Sequence, residues 1–329
     1  MLSLLYRGSL TSCNYACGYC PFAKKRDTRA TLARDAAEVA RFTGWAAAQS
    51  RELRILFTPW GEALVRRHYR EAMRALARMP HVAQVSLQTN LSGPTSWLAD
   101  VPAGKVSLWC TFHPDQTTLA RFVERCATLA ALGVRHSVGV VGLREHFDAI
   151  RSLRAALPAS TPLWINPYDR RGPGYYTAED LAWLDDLDPW FALGNAPPPS
   201  RGRPCAAGED VVSVDGDGRV QRCHFIPAAL GNLYADDLAA MLRPRACSRL
   251  KCECFIGYAH RKDLPLRQAF GAGLLARVPI VAAGADGPHA HYLDVNAHHP
   301  AVSANHLAVS AHHPAVILRA AQRSRRIHP

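Results

Sequence analysis

Cys13-Asn14-Tyr15-Ala16-Cys17-Gly18-Tyr19-Cys20 sets three thiols within eight residues, shortly after an apolar run, Leu2–Tyr6. Outward from it, β-branched or apolar runs recur at Leu53–Phe57, Val82–Thr89, Val106–Phe112, Val134–Val141 and Pro162–Asn166. Between them lie Ala30–Ala48, Val65–Ala77, Leu119–Leu132 and Phe147–Leu157, with apolar residues at helical spacing. Strands alternating with helices predict right-handed βαβ units and a parallel sheet, an α/β fold. Six units fit a partial (β/α)6 TIM-like barrel better than a closed eightfold one; pattern alone leaves a doubly wound open sheet possible. In a β/α barrel the loops after the strands carry the chemistry. The three thiols lie in the first of these loops.

The chain has 329 residues, 48% apolar and 20% charged, which suits two folded domains and excludes a disordered or fibrous chain. No run of about 18 apolar residues occurs, so no membrane span is expected. Met1–Gly8 lacks a basic leader and is broken by Arg7, so no signal peptide is expected. The net charge is +12, carried mostly by scattered arginines. Lys24-Lys25-Arg26 and Arg323-Ser324-Arg325-Arg326 are the dense basic runs, and neither interleaves aromatics. A nucleic-acid partner is therefore not expected.

Ten cysteines need an explanation. Disulfide frameworks belong mostly to small secreted chains, so the expectation here is metal binding in the cytoplasm. Three thiolates can wrap one soft centre. With no fourth ligand nearby, a 4Fe–4S cube would keep one iron open. The alternative is a zinc loop, although structural zinc prefers four ligands, commonly paired C-x2-C units. Cys110, inside a strand, and Cys126, on a helix, read as small buried hydrophobes.

Residues 1–193 form the barrel in this reading, closed by a helix at Ala178–Leu184 with Thr177 as N-cap. The Pro- and Gly-rich stretch 194–204 reads as a linker. Residues 205–260 form a small Cys-rich domain with a hairpin: Val211–Val214, Asp215-Gly216-Asp217-Gly218, Arg219–Cys223. Its cysteines are Cys205, Cys223, Cys247, Cys252 and Cys254, enough for one four-ligand site with one to spare; zinc is again the alternative. Residues 261–283 are expected to be a C-terminal helix or extension. The tail, 284–329, repeats Ala-His-His-Pro-Ala-Val at 297–302 and 311–316 and is expected to be disordered, though a His-rich tract can bind metal.

The C-x3-C-x2-C spacing, with Tyr19 before the last Cys, resembles the signature of the radical S-adenosylmethionine (SAM) superfamily. That resemblance implies that Cys13, Cys17 and Cys20 each bind one iron of a 4Fe–4S cluster. The open iron would chelate SAM, and reductive cleavage would give a 5′-deoxyadenosyl radical that abstracts hydrogen from substrate. Phe57-Thr58-Pro59-Trp60-Gly61-Glu62 is similar to the family's Gly-Gly-Glu motif, which holds the SAM amino group; Trp60 replaces the first Gly. Gln88-Thr89-Asn90 resembles a Thr-Asn-Gly turn, with Leu91 where Gly is usual. Thr111 ends a strand where related enzymes place a hydroxyl near SAM. Gly142-Leu143-Arg144-Glu145 resembles part of an adenine-contact motif. The implied cofactor contacts are thus Tyr19, Trp60, Gly61, Glu62, Asn90 and Thr111. His113 and Asn166, also at strand ends, either face substrate or make local hydrogen bonds.

Cys205-x12-Gly218-x4-Cys223 and Leu230-Gly231-Asn232-Leu233 resemble the SPASM/Twitch extensions of that superfamily. Five cysteines imply the shorter, Twitch-like form with a single auxiliary 4Fe–4S cluster. The resemblance covers about 2–170 and 205–256. It implies modification of a peptide, a protein or a peptide-derived small molecule, with a flavodoxin-type reductase as electron donor. Alternatives are an RNA-modifying radical SAM enzyme, suggested by the basic charge, and a non-enzymatic iron–sulfur electron carrier or redox protein.

Overall fold

A computed structural model describes residues 1–280 except Lys24, Asp169, Arg170, Arg171 and Pro173. The expectations for the His-rich tail, and for the end of the 261–283 extension, lie outside the described residues.

Six strands alternate with helices as the periodicity predicts: β1 (Leu2–Arg7), β2 (Leu53–Phe57), β3 (Val82–Thr89), β4 (Val106–Phe112), β5 (Arg135–Val141) and β6 (Leu163–Asn166). The helices are α1 (Arg29–Ala47), α2 (Arg67–Ala77), α3 (Leu119–Ala131), α4 (Phe147–Ala156) and α5 (Ala178–Leu187). Each strand pairs in parallel with the next. Alternate residues, such as Leu2, Leu4 and Tyr6 of β1 or Leu53, Ile55 and Phe57 of β2, enter one apolar core. Phe42 of α1, Met73 of α2, Phe122 of α3, Ile150 of α4 and Leu184 of α5 join that core, so the helices cover this face. Thr28 and Thr118 cap α1 and α3, and Thr177 caps α5 in a capping box with Asp180.

The side chains between those core positions face the other way: Ser3, Leu5 and Arg7 on β1, Arg54 and Leu56 on β2, Ser107, Trp109 and Thr111 on β4. This inner face is partly buried, with Leu5, Leu56, Ser107 and Trp109 enclosed and Ser3, Arg7, Arg54 and Thr111 half-buried, and it is far more polar. Over β4–β6 it is covered by residues 255–277. Phe255 packs edge-on against Trp109, Arg277 lies over Trp164, and Ser137 donates to the Ala276 carbonyl.

The cysteine-rich segment adds to the same sheet. Pro204–Cys205 (β7) forms a two-residue ladder with Arg245–Ala246 (β11). Val211–Asp215 (β8), Arg219–Cys223 (β9) and Ile226–Asn232 (β10) are the hairpin and its continuation. β8 pairs in parallel with β1, giving one nine-stranded sheet in the order β10-β9-β8-β1-β2-β3-β4-β5-β6. The chain boundary expected at 194–204 is therefore no break in the sheet, and Ser200 ties that stretch to Arg249 and Leu250. Gly218 turns the hairpin with φ +83°, a conformation that favours glycine. Asn232 of the Leu230–Leu233 segment closes the turn by donating to the Asp217 carbonyl.

Candidate functional site

The thiol loop leaves β1 at Arg7, and the backbone N–H groups of residues 9–12 are bonded to carboxylates on or just before α1. Glu38 accepts from Ser9 N (2.9 Å), Asp35 from Leu10 N (2.9 Å), and Asp27 from Thr11 N (3.0 Å) and Ser12 N (2.8 Å). Burial raises the Asp27 pKa, but the hydrogen bonds from Thr11 and Ser12 outweigh it and hold the carboxyl below its ordinary value. From the other side, Gly61 N donates to the Leu10 carbonyl and Glu62 N to the Ser12 carbonyl. Gly61 lies so close that a Cβ would come within 2.8 Å of the Ser12 carbonyl carbon. The loop is thus clamped one residue ahead of Cys13.

Three thiols follow at the carboxyl ends of the strands. Cys13 Sγ accepts Tyr15 N–H at 3.3 Å and the Asn90 amide at 3.6 Å; Cys20 Sγ accepts Phe22 N–H at 3.4 Å. Cys17 is buried, with Sγ 3.4 Å from His113 Nδ1, which also lies 2.8 Å from the Tyr19 hydroxyl. Burial, aided by the charge of His146, lowers the His113 pKa to about 4, so the ring is neutral at pH 7. His113 therefore makes local hydrogen bonds to the thiol loop. Leu143, after β5, packs on Cys17 and Tyr19 and brings a fifth strand end to the loop.

The donor set fits a thiolate-bound cluster. The thiols are close enough for the charges of Cys17 and Cys20 to raise Cys13. N–H donors on ligand sulfurs stabilise thiolate charge and tune a cluster. Burial pushes Cys13 up to about 11 without metal, so an iron centre would have to ionise it. Among the described residues, no three His, Cys, Asp or Glu side chains are drawn together around a single metal ion.

The remaining expected contacts divide. Gly61 faces the thiol loop backbone, whereas Trp60 turns outward, 40% exposed, against Phe22 and Arg7. Glu62 is buried and accepts three hydrogen bonds, from Leu64 N (2.9 Å), Thr89 Oγ1 (2.6 Å) and Asn90 N (2.7 Å). Its carboxylate holds the end of β3 in place. Asn90 bridges this anchor to Cys13. Leu91 adopts φ +58°, the left-handed conformation its usual Gly counterpart would take without strain. Arg125 secures that turn through the Leu91 and Gly93 carbonyls. Thr111 sits opposite Gly139 in the β4–β5 register, on the inner face. Arg144 and Glu145 engage Asp180 and the Tyr175 hydroxyl. Cys110 and Cys126 lie in the outer apolar core. Sequence reasoning did not find Asp27, Asp35 and Glu38; the signal available was three acids at 27, 35 and 38 beside an otherwise basic helix.

The second group gathers around Cys252, which feels the charges of Cys223, Cys247, Cys254 and Cys205, and which burial pushes up to about 12. Cys205 and Cys223 share a small buried cluster with Ala207. The Cys247 backbone pairs with Gly202 and Arg203 beside the β7–β11 ladder. Cys254 differs. It precedes a short helix, Phe255–Tyr258, and the positive charges acting on it are Arg7 and Arg277. All ten cysteines are free thiols.

This thiol loop at the carboxyl ends of six parallel strands occurs on the fold of the radical SAM enzymes. Native anSMEcpe with bound AdoMet and Kp18Cys peptide superposes with TM-score 0.50 at 15% identity, over 73% of this chain and 80% of that one. A histidine-tagged form of anSMEcpe with bound AdoMet gives TM-score 0.48 at 16% identity, covering 73% and 77%. BtrN in complex with AdoMet and 2-DOIA gives 0.33 at 16%, covering 73% and 82%. At these identities the first likeness establishes the fold. No family model matches the chain, and no curated protein matches it.

Proposed function

We propose that this chain is a radical SAM enzyme acting on a peptide, a protein side chain or a peptide-derived small molecule. The observation that carries the proposal is the three-thiol loop, clamped between the carboxylates of α1 and the Gly61 backbone at the open ends of the strands. Cys13, Cys17 and Cys20 would hold a 4Fe–4S cluster, which with SAM supplies one-electron cleavage of the sulfonium and a hydrogen-abstracting radical. The chain's own residues hold and shape the site. Asn90 donates toward Cys13, and His113 touches both Cys17 and Tyr19. Asp27, Asp35 and Glu38 fix the loop that precedes the thiols. Glu62 acts as a brace between β2 and β3, with Gly61 giving the close backbone approach.

In this reading Cys205, Cys223, Cys247 and Cys252 hold an auxiliary 4Fe–4S cluster and Cys254, which also couples to Cys252 but is set apart at the start of a short helix beside Arg7 and Arg277, is the spare. A cytoplasmic location and a flavodoxin-type electron donor belong to the same proposal, since both centres need reducing conditions. The peptide class is supported by the peptide bound to anSMEcpe on a shared fold.

The test is anaerobic reconstitution with iron and sulfide, followed by reduction with dithionite in the presence of SAM. Methionine and 5′-deoxyadenosine should form, and changing Cys13, Cys17 and Cys20 together to Ala should abolish them. Zinc in place of iron at the first site, or nucleoside formation by the triple variant, would sink the proposal.

A further inference from the structure

Arg7 lies between the two cysteine groups. It ends β1 on the inner face, its Nε donates to the Thr58 carbonyl (2.8 Å), and its guanidinium lies 3.9 Å from the centroid of the Trp60 ring. Among the described residues no carboxylate pairs with it; the titratable group coupled to it is the Cys254 thiol, which burial keeps protonated. Trp60 in turn packs at a tilt on Phe22, two residues beyond Cys20. Both rings are substantially exposed, at 40% and 46%. A stacked guanidinium with Nε committed keeps its two Nη groups as a planar fork, the geometry that matches a carboxylate.

A second donor faces the same side of the sheet. Trp109 is only 4% exposed, and its indole Nε1 is buried without a hydrogen-bond partner. Its ring packs on Phe255, the neighbour of Cys254. A buried N–H without an acceptor is costly unless a ligand or water supplies one. Arg7 and Trp109 thus flank the Cys254–Phe255 segment from two strands, β1 and β4, and both offer donors.

Resting on the radical SAM reading, we infer that Arg7 and the Trp109 indole N–H bind a carboxylate of the substrate on the inner face of the sheet, between the two cysteine groups. The substrate class narrows to molecules bearing an acidic side chain or a free carboxyl terminus. Trp60 and Phe22 provide the apolar wall beside that carboxylate.

The experiment is equilibrium dialysis of the reconstituted, SAM-loaded protein against two radiolabelled probes, N-acetylaspartate amide and N-acetylasparagine amide. They share shape and differ in charge. The aspartate probe should bind about tenfold tighter or more. Arg7→Gln should erase that preference, Arg7→Lys should keep part of it, and Trp109→Phe should reduce it. Equal binding of the two probes to the unaltered protein would overturn the inference, a result that needs no variant to fold. So would an intact preference in Arg7→Gln, or a preference of the unaltered protein that disappears when SAM is omitted and therefore belongs to the SAM site. Nucleoside formation by the unaltered protein reports on the radical SAM reading separately, so failure of one is distinguishable from failure of the other.

Discussion

Replacing Gly61 with Ala places one methyl group against the backbone that carries the first cysteine. The new Cβ would lie 2.8 Å from the Ser12 carbonyl carbon and 2.9 Å from its nitrogen, where ordinary contact begins at 3.4 Å. One backbone must retreat by at least 0.6 Å, and neither is a flexible side-chain end. Overpacking of this kind costs about 1–3 kcal/mol. The two backbone hydrogen bonds across the contact, Gly61 N to Leu10 O and Glu62 N to Ser12 O, add about 1 kcal/mol each if broken. The loss is thus roughly 2–5 kcal/mol, concentrated at Cys13. A global transition would fall by about 4–10 °C at the roughly 2 °C per kcal/mol usual for a chain of this size. The assay pairs iron counting after anaerobic reconstitution with thermal unfolding. We expect first-site iron to be lost while second-site iron stays. Gly44→Ala, on α1 with nothing near its Cβ, is the control and should stabilise slightly. If Gly61→Ala takes up full iron and unfolds within about 1 °C of the unaltered protein, the clamp reasoning is wrong.

Leu91→Gly should relieve about 1–2 kcal/mol of left-handed strain but lose a fully buried side chain worth about 2–5 kcal/mol. The net expectation is destabilisation in urea unfolding, and a gain in stability would contradict it. Cys254→Ala should keep second-site iron whereas Cys252→Ala should lose it; the reverse result would exchange their roles. Asp27 has a lowered folded pKa, so its contribution is present above the unfolded value, near 4, and lost as pH falls through the folded one. Asp27→Ala should therefore cost about 1–2 kcal/mol at pH 7, after allowing for solvent. The difference should shrink as pH falls below the unfolded value, read as limited proteolysis of the 8–27 loop across pH; a pH-independent difference would refute the hydrogen-bond account.

The strands were legible because each alternates between an apolar core position and an inner-face position, and such runs have few other uses. β2, β3 and β4 match their expected bounds. The thiol loop was legible from spacing alone. The loop's anchors were not, because Asp27, Asp35 and Glu38 act across 15 to 29 residues, through backbone N–H groups and the common hydroxyls of Ser9, Thr11 and Ser12, and leave no local pattern. Nor was the β1–β8 pairing, which joins residues about two hundred positions apart and leaves no local trace. Glu62 was singled out as a cofactor contact; that its carboxylate also accepts from Thr89 and Asn90 is visible only in the geometry. Arg7 was read merely as an interruption of an apolar leader.

The position of β1 inside the sheet, between β8 and β2, has a consequence for synthesis. Its edge toward β2 can be satisfied once Phe57 has emerged, and by Glu62 the anchors of the segment ahead of Cys13 are also available. Its other edge waits for Val211–Asp215. At about 5–20 residues per second, roughly 8–30 s pass in which that edge of the nascent chain stands unpaired. An exposed strand edge of Leu4, Leu5 and Tyr6 is a template for association with other chains. The first thiol loop can thus be clamped early on a growing polypeptide, while the second cysteine group is complete only once Cys252 has emerged, on a chain whose first strand was among the last to be sealed.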